Sequence, residues 1–331
     1  MTSTPAQLSA SSPSKTTAAD ADHPDIDFAR RFGGVARLYG RSGLANFQAA
    51  SVCVVGVGGV GSWVVEALAR SAIGHITMVD LDNLAESNIN RQIHALTGTL
   101  GMAKVTALAQ RIAQINPFCE VHEVEDMLDA ANLERLIGAP GFDFIIDAID
   151  DVRAKTALIA YCRANKLRLV TIGGAGGQID PTRIEVRDLC RTEQEPLLAK
   201  VRKRLRAEHG FPRGTKNKFG IDAVFSTEPL QTPEDEEAAC AIDVDTKTEL
   251  GDMAATAVGA GRVDDAGLAD NATKDVSLGI SGLNCAGYGS AVVVTAAFGL
   301  VAAAHVLRAL AALPAKPVEP CQSHPLVQVS Q

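Results

Sequence analysis

The sequence contains no C-x-x-C pair. Its seven cysteines, Cys53, Cys119, Cys162, Cys190, Cys240, Cys285 and Cys321, stand singly along 331 residues. That spacing argues against a structural zinc site, which draws its ligands from closely spaced pairs, and points instead to reduced, mostly buried thiols. Residues 1–25 are rich in Ser, Thr, Ala and Pro and lack both helical and strand periodicity. Such a stretch cannot offset the entropy of ordering, so a disordered tail is expected. It also lacks a basic start followed by an apolar core; no secretory signal is expected, and the cytoplasm is the expected location. Positive charge is scarce overall, with a formal net charge of −8. The exception is local: Lys200, Arg202, Lys203, Arg204, Arg206, Arg213, Lys216 and Lys218 face a single acid, Glu208. A block this basic in an acidic chain is either a solvated helix face or a docking surface for a polyanion.

With 47% hydrophobic residues, the chain can bury one large core or a core plus a smaller lobe. The stretch 51–57 (SVCVVGV) is short, apolar and β-branched; it runs into a glycine-rich turn and then into helical apolar spacing over 60–71. Further strands are expected over 75–80, 121–125, 142–148 and 168–172, alternating with helices over 103–115, 132–137 and 152–165. Repeated β-α units of this length predict an α/β, Rossmann-like, mainly parallel sheet with helices on both faces. After the glycines at 173–177 the pattern changes to a mixed C-terminal portion: strands over 183–186 and 223–226, and a basic helix over 191–208. Residues 243–275 are acidic, rich in Gly and Ala and weakly patterned, and read as a flexible surface insertion. Residues 291–307 carry no charge. About 18 apolar residues is the lower threshold for a membrane span; the many alanines, with Thr295 and His305, favour a helix packed in a core or subunit interface over membrane contact.

The chemistry begins at the first turn. Gly56, Gly58, Gly59 and Gly61 separate a strand from a helix, and Asp80 ends the next strand. Glycines there let backbone approach phosphates at a helix N-terminus, and a carboxylate some 20 residues on can bond ribose hydroxyls. This much does not separate a dinucleotide from ATP. Two basic residues further along do. Arg91 and Lys104, placed after the ribose strand, bring positive charge to the phosphate end, which a triphosphate needs and a nicotinamide does not. Asp147 and Asp150 end a later strand, where open α/β sheets place their ligands, and a carboxylate there can hold Mg²⁺.

As a set, Gly56 to Gly61, Asp80, Asp82, Asn88-x-x-Arg91-Gln92, Gly101-x-x-Lys104, Asn116-Pro117 and Asp147-x-x-Asp150 resemble the ubiquitin-activating-enzyme superfamily, which includes the adenylyltransferases of sulfur-carrier proteins. The resemblance implies that Asp80 holds the ribose, that Asn88, Arg91 and Lys104 hold the phosphates with Asp82 and Gln92 nearby, and that Asp150 holds Mg²⁺. It leaves room for a monovalent cation. Arg31-Phe32-Gly33-Gly34 with Arg37-Leu38-Tyr39-Gly40, Ala160 to Arg163, the run 173–181 and Val224 to Glu228 resemble, more narrowly, the tRNA threonylcarbamoyladenosine dehydratase family. That likeness implies ATP-dependent dehydration of N6-threonylcarbamoyladenosine beside the anticodon, through carboxylate adenylation, by a homodimer. The alternative is an adenylyltransferase acting on the C-terminal glycine of a small sulfur-carrier protein; the missing C-x-x-C pairs and the basic run favour tRNA. The likeness also implies that Cys285 is linked with sulfur acceptance from a cysteine desulfurase. An Arg at the place of Arg37 can reach the partner subunit's ATP, although Gly34 breaks the pattern. The division expected is a tail (1–25), an ATP-binding domain (26–180), a tRNA-binding and dimerisation portion (181–312) and a second tail (313–331).

Overall fold

In a computed structural model, residues 26–214, 216–231 and 288–314 are described. The expected tail 1–25, the insertion 243–275, Cys285 and most of 313–331 lie outside them. Seven strands form one sheet: β1 (Ser51–Val55), β2 (His75–Val79), β3 (Glu120–Val124), β4 (Phe144–Asp147), β5 (Leu169–Ile172), β6 (Ile184–Asp188) and β7 (Asp222–Ser226), in the order β3-β2-β1-β4-β5-β7-β6. All neighbours are parallel except β6, which pairs antiparallel with β7. The central strands are continuously apolar because both faces are covered. Successive residues point to opposite faces, so Val52 and Val54 enter one core while Cys53 and Val55 enter the other. The edge strand β3 exposes Glu120 and Glu123, charges that discourage pairing with another chain.

One face carries α1 (Phe28–Gln48), α2 (Gly61–Arg70), α3 (Lys104–Ile115) and α6 (Val292–Ala311); the other carries α4 (Val152–Ala164) and α5 (Pro196–Glu208). The uncharged stretch near the C-terminus is α6. It is long and apolar enough to cross a membrane by length and composition, but in this fold Val294, Phe298, Ala302, Val306 and Leu310 join the core shared with α2. Gly299 makes that approach possible, since a Cβ there would lie 2.6 Å from the Val60 carbonyl oxygen. Asn46 of α1 ties the end of α6, donating from Nδ2 to the carbonyls of Leu310 (3.2 Å) and Leu313 (2.9 Å).

Two elements depart from the sequence reading. The helix α1 was not expected, and it turns sharply at Gly40, whose φ of 79° is left-handed. The basic helix starts at Pro196 rather than at residue 191. Leu189–Arg191 is a short 3-10 turn, and the Glu195 carboxylate caps the helix by accepting from the backbone N–H groups of Leu197 and Leu198, which fixes the start.

Candidate active site

The strand order reverses direction of growth between β1 and β4, and this switch point is where doubly wound sheets open a crevice for ligands. The glycine turn follows β1 and the Asp147 loop follows β4; Val55 and Asp147 are register partners. The turn depends on its glycines. Gly56 has φ +82°, and a Cβ there would meet the Ala148 carbonyl oxygen at 2.8 Å; at Gly61 a Cβ would lie 1.8 Å from the Gly56 carbonyl oxygen. Asp80 braces the turn: Oδ2 accepts from the Val57 N–H at 2.7 Å and Oδ1 from the Asp82 N–H at 3.0 Å. Burial pushes the Asp80 carboxyl up, against the Lys104 ammonium and these two N–H groups, which pull it down.

The predicted phosphate ligands gather at this turn. Lys104, the first residue of α3, is buried, with Nζ 2.7 Å from Asp82 Oδ2 and 3.9 Å from Asp80 Oδ1. Arg91 lays its methylenes against Gly59, where a Cβ would be 3.1 Å from Cδ, and its Nη1 donates to the Ser87 carbonyl (2.6 Å) and Asn90 Oδ1 (3.0 Å). Asn88 shapes the same loop: Oδ1 accepts from the Ala85 N–H, and its carbonyl accepts from the N–H groups of Arg91 and Gln92. Gln92 is buried, and its Nε2 lies 3.8 Å from where a Cβ on Gly58 would stand. Among the described residues Gln92 Oε1 and Ser62 Oγ, both buried, have no hydrogen-bond partner. Buried polar atoms are rarely left so, and a polar ligand at the turn would satisfy these two.

Asp150 is exposed on the loop after β4, and Asp151 caps α4 by accepting from the Ala154 N–H at 2.7 Å. Among the described residues no group of three or more His, Cys, Asp and Glu side chains could hold a metal. A lone carboxylate suits Mg²⁺, which keeps its waters and binds through one or two carboxylates plus substrate phosphates. The segment before α6 is tied to two of the loops past the strands: Asn90 Nδ2 donates to the Ser290 carbonyl (2.8 Å), and the Gly289 carbonyl accepts from the Gly177 N–H (2.8 Å).

A ThiF family model matches residues 32–328. The chain belongs to the ThiF family. Within it, the tRNA threonylcarbamoyladenosine dehydratase of Escherichia coli is 48% identical over 288 residues, 87% of this chain and 96% of that one. The dehydratase of Haemophilus influenzae is 43% identical over 282 residues, 85% of this chain and 93% of that one. The crystal structure of the E. coli enzyme in complex with ATP superposes with a TM-score of 0.68 at 44% identity, covering 86% of this chain and 94% of that one.

Two of the remaining sequence candidates, Arg37 and the basic run, make contacts other than with the glycine turn. Arg37 lies back along α1, its guanidinium against Gly33 and Gly34. The basic run is divided: Lys200, Lys203, Arg213, Lys216 and Lys218 are exposed, Arg204 pairs with Glu208 at 2.9 Å, and Arg202 turns inward to Thr192. Cys53 is buried, and burial raises the thiol pKa of Cys53, Cys119, Cys162 and Cys190. Sequence reasoning missed Lys155. Its Nζ lies 2.8 Å from Asp147 Oδ1, with both side chains fully buried. Asp147 also accepts from Thr171 Oγ1 (2.7 Å) and the Ile149 N–H (3.1 Å), so it ties down the loop that presents Asp150. Glu195 was missed as well; burial raises its pKa, and it accepts from the Gly174 N–H at 2.9 Å.

Proposed function

We propose that the chain catalyses the ATP-dependent dehydration, with ring closure, of N6-threonylcarbamoyladenosine in tRNA. The observation that carries this reading is the gathering of Lys104 and Arg91 against the glycine turn at the β1/β4 switch point, in a chain that matches tRNA threonylcarbamoyladenosine dehydratases over most of their length. The substrate carboxylate attacks the α-phosphorus of ATP; pyrophosphate leaves and an acyl-adenylate forms. A nucleophile within the modified base then attacks the activated carbonyl and expels AMP, which carries away one carboxylate oxygen. The net change is loss of one water from the nucleoside.

Nucleotidyl transfer depends chiefly on positioning and charge neutralisation. Gly56, Gly58, Gly59 and Gly61 give the phosphates room, Asp80 holds the ribose, and Asn88, Arg91, Gln92 and Lys104 hold the phosphates. On triphosphate binding, Lys104 exchanges Asp82 for phosphate oxygens. Asp150 would hold Mg²⁺, which supplies further neutralisation of the phosphates. A monovalent cation has no assigned ligands among the described residues, and the scheme uses none.

Residues 26–180 are assigned to ATP chemistry, and 181–312 to tRNA, through Lys200, Lys203, Arg213, Lys216 and Lys218 above all, and to dimerisation. A homodimer is supported by large apolar side chains left exposed on two helices that pack together, Leu38 on α1 (77%) and Val293 (58%) and Leu300 (48%) on α6; Arg37, next to Leu38, would then serve the partner's ATP. The reaction is placed in the cytoplasm. Ring closure needs no thiol, so Cys285 and a cysteine desulfurase partner are additions to the scheme rather than steps in it. The test is incubation with ATP and either bulk tRNA or a small sulfur-carrier protein, then mass analysis of the nucleosides and of the carrier. A nucleoside lighter by one water, formed only with ATP, is expected; an adenylated carrier protein with unchanged tRNA would overturn the reading.

A further inference from the structure

The basic run from Lys200 to Lys218 is completed by residues distant in sequence. Arg163, in the last turn of α4, places its guanidinium over the Phe211 ring, 5.4 Å from the centroid, and Arg206 of α5 lies over Phe219 at 5.2 Å. The two rings meet edge to face, with centroids 4.9 Å apart. The ends of both helices and the loop after α5 are thus one stacked unit. The loop is held from below. Asp188 accepts from the Phe219 N–H (3.0 Å) and the Gly220 N–H (2.8 Å), and Arg206 Nε donates to the Pro212 carbonyl (3.3 Å). Gly220 keeps space for the arginine, because a Cβ there would come within 2.8 Å of Arg163 Nη1.

The turn from α4 to β5 brings Lys166 and Arg168, both exposed, to the same edge of the sheet. Glu208 is already engaged by Arg204, and Asp188 by backbone N–H groups. That leaves Arg163, Lys166 and Arg168 beside Arg206, Arg213 and Lys218, a concentrated positive field on a protein of net charge −8. Stacking on a ring occupies the face of a guanidinium and leaves its edge donors for phosphate oxygens.

This edge is opposite the one that holds the nucleotide. The glycine turn and Asp147 lie at the C-terminal ends of the strands, whereas Arg168 and the loop after α5 precede β5 and β7. The helix α5 spans the gap. Glu195, at its start, bonds Gly174 beside the crevice, and its 13 residues carry the chain about 20 Å.

Resting on the tRNA reading above, we propose that Arg163, Lys166 and Arg168, with the ring-stacked Arg206, form a platform for the phosphate backbone of the tRNA stem, while the nucleotide being modified sits at the far edge. One nucleotide cannot bridge that distance, so this platform serves affinity and orientation and takes no part in bond making. Recognition therefore extends beyond the anticodon loop to the helix that carries it.

The test uses the full chain with bulk tRNA and with a loop oligonucleotide that lacks the stem. Arg163→Gln removes the central cation. In case that disturbs the rings, a Lys166→Asn/Arg168→Gln variant removes two cations that touch no ring, and Asn suits the φ of 56° at position 166. Each variant is expected to bind tRNA about ten-fold more weakly at low salt, with a log-log salt slope shallower by about one for each phosphate no longer neutralised. The rate at saturating tRNA, ATP affinity and binding of the loop oligonucleotide should stay at wild-type values. If wild type binds tRNA with a steep salt slope and both variants match it, the platform is refuted and the tRNA reading stands. A variant that loses rate while keeping affinity also refutes it. If wild type shows no salt-dependent tRNA binding and no change in the nucleoside, the tRNA reading itself fails.

Discussion

The Lys155 ammonium sits 2.8 Å from Asp147 Oδ1 with neither side chain reaching solvent, directly beneath the loop that carries Asp150. Removing one member of a buried pair leaves an uncompensated charge, at a cost of about 3–5 kcal/mol. Lys155→Met is expected to lower stability by that order in thermal or denaturant unfolding. Asp147→Asn combined with Lys155→Met should regain part of the loss, because no charge is left buried: the amide oxygen in the place of Oδ1 still accepts from the Ile149 N–H, and the amide NH2 in the place of Oδ2 can donate to the Thr171 hydroxyl. A single variant as stable as wild type would show that the pair is not anchoring this loop.

Arg91→Ala and Asp150→Ala should each lower ATP-dependent turnover by about 10²-fold or more, the scale set by removing one charge-stabilising group from a transition state. Asp150 is exposed, so its loss should leave the melting temperature nearly unchanged. Near-normal pyrophosphate release from both variants would remove these residues from the reaction.

The glycines of the turn should not be equivalent. At Gly61 the added methyl would strike backbone, the Gly56 carbonyl oxygen at 1.8 Å, and nothing there can yield; at Gly59 it would meet only the flexible methylenes of Arg91 at 3.1 Å and 3.2 Å. Gly61→Ala is therefore expected to abolish ATP binding in calorimetric titration. Gly59→Ala should weaken it modestly in a folded protein. The reverse ranking would contradict the geometry.

His94 gives a pH signature. It is buried beside the site, neither ring nitrogen has a hydrogen-bond partner among the described residues, and burial, followed by the Lys104 and Arg111 charges, lowers its pKa from 6.5 to about 3. Between those two values the unfolded chain binds the proton and the folded chain does not, so this residue makes stability fall as pH drops from about 6.5 towards 3. The slope is at most about 1.4 kcal/mol per pH unit. His94→Leu should flatten the stability profile in that window relative to wild type. Parallel profiles would mean that His94 protonates in the fold.

The strands were legible because buried parallel strands are written as short apolar runs, as in SVCVV for β1 and FIID for β4. The gathering of the candidate residues was legible for a related reason: Gly56, Asp80 and Asp150 fall just past a strand and Lys104 at a helix start, with Arg91 on the loop after β2, and a doubly wound sheet brings those ends to one edge. The helix α1 was not, because Gly33, Gly34, Gly40 and Gly43 interrupt its pattern and it is held by contacts with α6, more than 240 residues later in the chain. The place of β7 between β5 and β6 could not be read either, since pairing across non-consecutive segments leaves no local mark. Lys155 did leave one. It shares the buried stripe of α4 with Leu158, Ile159 and Cys162, and a lysine at such a position requires a buried carboxylate.

The central claim is that ATP activates the substrate by adenylation at the glycine turn, and the most direct measurement traces the carboxylate oxygens. The N6-threonylcarbamoyladenosine carboxylate in tRNA is enriched with heavy oxygen, the enzyme is supplied with ATP, and the released AMP and pyrophosphate are weighed. One heavy oxygen in AMP, none in pyrophosphate, and a nucleoside lighter by one water are the predicted result. Heavy oxygen in inorganic phosphate, or a dehydrated nucleoside formed without AMP, would contradict the account.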